Sequence, residues 1–76
     1  DSRVNVTMDQ FNKLQYGMSQ AEIEKALGAK LTAFCTTRSV SGKVGMDVRY
    51  NCQTRSGDVL MIQISSLDEL SAKSFG

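Results

Sequence analysis

The 76-residue chain, 41% hydrophobic and 22% charged, has the scale of one small globular domain with a thin core. A net charge of +1, an absence of proline and ordinary apolar content exclude a disordered chain, and no apolar run approaches the ~20 residues that span a membrane as a helix. There is no histidine, so no Ser-His-Asp or Cys-His arrangement and no imidazole metal site is available; no catalytic residue, cofactor or metal is expected.

Residues 1–6 read as a lead-in or tether and residues 7–76 as a single domain. The first helix signal is Val6-Thr7-Met8-Asp9-Gln10-Phe11. Thr7 can cap, and Gln10 three residues on can reach back to close a capping box. Val6 and Phe11 suit a hydrophobic staple, and Asp9 in the first turn complements the helix dipole. This helix is expected to run to about Tyr16 and to stop at Gly17. The device repeats at once: Ser19 caps, Glu22 completes the box, Met18 can staple Ile23, and Gly28 ends the helix. The apolar stripe is Ile23, Ala26 and Leu27. Helices this short are marginal alone in water, so their caps carry more than usual weight. The pair reads as an αα-hairpin jointed at Gly17-Met18.

Leu31–Thr37 is β-branched and aromatic and is expected to be a strand. Residues 38–46, with two glycines and two serines, read as a flexible basic loop. Asp47–Gln53 alternates as a half-buried strand, Thr54–Asp58 turns, and Val59–Ser65 alternates again. The final SSLDELSAKSFG is open between a short helix capped at Ser66 and an edge strand over Leu70–Phe75.

Cys35 and Cys52 are the only thiols. Their spacing is neither a zinc knuckle nor a redox motif, while an even count suits a bridge in a small exported domain. Their placement on strands predicts a disulfide joining the first two strands.

Strand parity then selects a surface, because successive side chains point to opposite faces. Leu60, Ile62 and Ile64 are the most apolar alternate set and should face the helices, with Val48, Tyr50 and Cys52 matching them. The disulfide would bring Cys35 to that face, and Leu31 and Ala33 with it. The opposite set, Phe34, Arg49, Asn51, Val59 and Met61, is the expected binding surface, rich in types enriched at contacts. Arg38 and Lys43 on the loop would add electrostatic steering. They belong to a stretch between Lys25 and Gly57 that holds six basic residues and one acid, Asp47. Aromatics are not interleaved with this stretch as a nucleic-acid site would want, since Tyr50 shares its alternation with core residues. Asp68-Glu69 reads as solvated turn acids.

The pattern F-x-x-L-x-x-G-M-S-x-x-E-I-x-x-x-L-G, carried here by Phe11, Leu14, Gly17, Met18, Ser19, Glu22, Ile23, Leu27 and Gly28, resembles the envelope-protein group that includes the β-lactamase inhibitory protein and the SmpA/OmlA-type (BamE-like) outer-membrane lipoproteins. Inhibitor-like members also carry one cysteine after the second helix and one in the next strand, as Cys35 and Cys52 do. The resemblance implies an α+β fold, a helix-loop-helix on a three- to four-stranded antiparallel sheet with one disulfide. It favours a strand at Leu70–Phe75. The chain is a single unit where the inhibitor has two, and it lacks tryptophan.

The expected role is a non-catalytic protein-binding module of the bacterial envelope, in the periplasm or at the outer membrane. Its partner would be a β-barrel outer-membrane protein or a periplasmic or secreted enzyme. Alternatives are a phage- or plasmid-encoded lipoprotein that masks an outer-membrane receptor, or an inhibitor of a secreted enzyme such as a β-lactamase; a nucleic-acid binder is less favoured. The missing methionine, the polar start Asp1-Ser2-Arg3 and the resemblance lead us to expect a lipid-modified cysteine immediately before Asp1.

Overall fold

The computed structural model describes residues 5–76; most of the expected lead-in lies outside the described residues. Three helices, α1 (Met8–Asn12), α2 (Gln20–Leu27) and α3 (Leu31–Phe34), precede four strands, β1 (Cys35–Ser41), β2 (Met46–Gln53), β3 (Val59–Ile64) and β4 (Leu70–Phe75). The strands form one antiparallel sheet in the order β1-β2-β3-β4. The fold is α+β.

Both capping boxes form. The Thr7 hydroxyl accepts from the Gln10 N–H at 3.2 Å, and the Gln10 side chain accepts from the Thr7 N–H at 2.9 Å. In α2 the Ser19 hydroxyl accepts from the Glu22 N–H at 3.2 Å and the Glu22 carboxylate accepts from the Ser19 N–H at 3.1 Å. Gly28 ends α2 in the left-handed region at φ 73°, its N–H donating to the Glu24 carbonyl at 2.8 Å.

Helix α1 ends at Asn12, a full turn before the expected Tyr16. Two tertiary demands stop it. Leu14 must turn inward, where it is almost fully buried. Lys73 of β4 donates to the Leu14 carbonyl at 2.7 Å and to the Phe11 carbonyl at 3.4 Å, taking acceptors that a longer helix would use itself. The joint between α1 and α2 is correspondingly longer than two residues. Within it Gly17 donates to the Leu70 carbonyl at 3.0 Å and Met18 accepts from the Leu70 N–H at 2.8 Å, tying the joint to β4.

Leu31–Phe34 is a helical turn and not the start of a strand. The Glu24 carboxylate accepts from the Leu31 N–H at 2.9 Å, capping the turn from α2. Leu31 is thereby buried, while Ala33 is exposed and does not join it. The expected loop at 38–46 is mostly strand. Only residues 42–45 turn, closed by a Gly42 N–H to Gly45 carbonyl bond of 2.7 Å, and Arg38 sits in mid-strand. The C-terminal segment is a strand, with a register shift against β3 at Gln63/Ile64.

The core lies between the helices and one face of the sheet. Val6, Leu14, Ile23, Leu27 and Leu31 pack with Tyr50, Cys52, Leu60, Ile62, Ile64 and Leu70. Val6, at the end of the expected lead-in, is only 3% exposed and belongs to this core. Cys35 and Cys52 are disulfide-bonded, as expected.

Candidate functional site

The strand pairings define the face turned away from the helices. Cys35 opposite Cys52, Tyr50 opposite Ile62 and Cys52 opposite Leu60 face the core. The residues between them face outward. On β1 these are Thr36, Arg38 and Val40; on β2, Asp47, Arg49, Asn51 and Gln53; on β3, Val59, Met61 and Gln63. All three helices pack on the other side, so no helix among the described residues covers this outer face.

Of the expected site residues, Arg49, Asn51, Val59 and Met61 do share the outer face. Asn51 stands opposite Met61, and Val59 opposite Gln53. Arg38 joins them from β1, directly opposite Arg49, and not from a loop. Phe34 does not belong. Its place in α3 turns it onto the edge of the core, where it packs half-buried. A strand register counted back from Cys35 put it outside; one turn of helix reverses that parity. Lys43 sits in the β1–β2 turn, outside the paired strands. It lines an open cleft of about 550 Å³ with Tyr16, Asp47, Gln63, Glu69 and Ser71.

A polar chain organises the upper half of the outer face. The Arg49 guanidinium donates through Nε (3.3 Å) and Nη2 (3.0 Å) to Gln63 Oε1. The Gln63 amide in turn donates to Asp47 Oδ2 at 2.7 Å, and Ser71 Oγ donates to the same oxygen at 3.0 Å. Gln63 thus bridges a cation and an anion without their touching, and it fixes the Arg49 fork along the sheet. Asp47 is only 2% exposed, and its Oδ1 has no hydrogen-bond partner among the described residues. A Cβ at position 42 would overlap the Asp47 carboxylate, so the close approach there requires glycine.

Gln63, Asp47 and Ser71 are not among the residues expected at the site from sequence. The signal for Gln63 was present, because it alternates in step with Val59 and Met61. Nothing local marks Asp47 as buried; its partners come from β3 and β4.

Arg38 has no hydrogen bond or ion pair among the described residues, and it is exposed. Two arginines directly across a strand pair repel unless something anionic meets them. The face therefore offers a planar cation pair, an amide at Asn51, and apolar area from Met61 and the 44% exposed Val59. That combination suits non-covalent recognition of a protein surface. No group of three or more potential metal ligands occurs among the described residues, and none of their helices is long and apolar enough to cross a membrane. No family model, curated protein or solved structure matches the chain.

Proposed function

We propose that this protein is a non-catalytic binding module of the bacterial envelope that holds a periplasmic or outer-membrane protein against the outer face of its sheet. The observation that carries the reading is that face itself. It is uncovered by any helix among the described residues, and it brings Arg38, Arg49, Asn51, Val59 and Met61 together around a guanidinium held in place by Gln63. Arginine and methionine are enriched at contact surfaces, and a side chain already held by its neighbours loses less entropy on binding. A disulfide in so small a domain supports export to an oxidising compartment.

The test is capture from envelope extract by the tagged, disulfide-intact protein. The expected result is one barrel protein or periplasmic enzyme, lost when Arg49→Ala is combined with Met61→Ala. A ladder of ribosomal proteins, or capture indifferent to that double change, would overturn the reading.

A further inference from the structure

The two edges of the sheet are treated differently. The β4 edge is broken by the register shift at Gln63/Ile64 and bridged at Leu70 by the backbone of Gly17 and Met18. Such bulges and covers are the usual protection against pairing with another chain. The β1 edge has none of them. It pairs with β2 over seven residues without a register shift, and it contains no proline or lysine. Thr36, Thr37, Arg38 and Ser39 are all exposed, so this strand is open on both faces as well as along its edge.

The register shows which backbone groups the edge presents. The Cα atoms of Cys35 and Cys52 are 4.2 Å apart, the narrow spacing of a pair that exchanges no backbone hydrogen bonds. The bonds to β2 therefore fall at Thr36, Arg38 and Val40, and the Gly42–Gly45 bond continues that alternation. The N–H and C=O groups of Thr37 and Ser39 point the other way, and no further backbone hydrogen bond reaches them among the described residues. An extended chain laid along β1 would bond there. Its residue opposite Arg38 would fall in a narrow pair, where side chains lie closest.

Charge decides what that chain is. Across the outer face the row through this position reads Gln63, Arg49, Arg38. A second copy in the antiparallel register that pairs all seven β1 residues would set Arg38 against itself, placing four arginines in one row. An acidic residue would instead neutralise the unpaired Arg38.

We propose that β1 is a docking edge for an extended segment of a partner protein, which adds as a fifth strand and places a carboxylate opposite Arg38. The proposal rests on the protein-binding reading above and names the edge and the chemistry of the segment.

The test uses the disulfide-intact chain and two acetylated peptides of alternating threonine and valine, one with a central glutamate and one with a central lysine. Hydrogen exchange is read residue by residue. The glutamate peptide should protect the Thr37 and Ser39 amides and bind about tenfold more tightly than its lysine twin. Arg38→Glu should invert that preference. Ser39→Pro should abolish binding of both peptides, because it deletes an outward donor and leaves the bonds to β2 intact. If the proline variant loses its fold, the inverted preference of Arg38→Glu still decides. The proposal is overturned by absent binding, by protection elsewhere on the sheet, by equal affinity for the two peptides, or by a concentration-dependent dimer that already protects Thr37 and Ser39. An envelope partner whose capture survives Ser39→Pro but not the Arg49→Ala, Met61→Ala change would overturn the edge and leave the sheet-face reading standing.

Discussion

Cys35 and Cys52 face each other directly across the first two strands, and the bond between them closes a sequence separation of 17 residues. Cys52 is buried, while most of β1 beyond Cys35 is exposed. The disulfide is thus the main covalent hold on a strand that otherwise has only its pairing with β2. Closing a loop of this size contributes roughly 3 kcal/mol on the chain-entropy account. That is a large share of the ~5 kcal/mol available to a marginal small domain. Replacing both cysteines by alanine should lower the urea midpoint accordingly. It should also raise hydrogen exchange first at Thr36, Arg38 and Val40. An unchanged midpoint would show that the ladder alone holds β1.

Lys73 joins the two ends of the chain. Its ammonium donates to the Phe11 carbonyl in the last turn of α1 and to the Leu14 carbonyl just beyond it, and sits 4.6 Å from the centroid of the Phe11 ring, which itself stacks on Phe75 at 5.5 Å. A cation at a helix C-terminus and over an aromatic face contributes on the order of 1 kcal/mol from each source. Lys73→Met keeps the aliphatic stem and removes both. We expect a loss of about 1–2 kcal/mol by chemical denaturation, with α1 amides exchanging faster while those of α2 are unaffected.

The buried carboxylate of Asp47 predicts opposite outcomes for two small changes. Asp47→Asn can still accept from Gln63 and Ser71 through its one oxygen while removing a buried charge, so stability should stay within about 1 kcal/mol. Gly42→Ala adds only a methyl group, but that group overlaps the carboxylate, and a cost of roughly 2 kcal/mol is expected. Combining the two should not rescue the alanine, since the amide occupies the same space. Urea melts of the three variants separate crowding from charge.

Phe34 and Met61 should behave oppositely. Phe34→Ala trims a side chain packed against the core and should cost roughly 2 kcal/mol, less than for a fully buried ring. Met61→Ala on the outer face should cost under about 1 kcal/mol. Partner capture should be weakened by the Met61 change and, once stability is allowed for, not by the Phe34 change. The reverse pattern would place the working surface at the α3 edge.

Much of this molecule is governed by interactions a few residues long, and those were legible without any structure. Helix α2, between its caps Ser19 and Gly28, is specified by a capping box and a left-handed stop, each of which needs only neighbours within about four residues. Strands β2 and β3 show in simple alternation, and their parity placed Arg49, Asn51, Val59 and Met61 on one face. Parity failed where it was carried through a segment that is not a strand. Leu31–Phe34 has strand-like residues, yet Glu24 caps it as a helical turn and buries Leu31, which sends Phe34 to the core. The glycines and serines of 38–46 suggested a loop, but pairing with β2 extends β1 to Ser41 and lifts Arg38 into register with Arg49. The end of α1 is set by Lys73, about sixty residues away, and the burial of Asp47 by Gln63 and Ser71 on two other strands. Caps and alternation report bonds that close locally. Where a helix stops, which face a turn presents and which carboxylate is buried depend on groups that only the folded chain brings together.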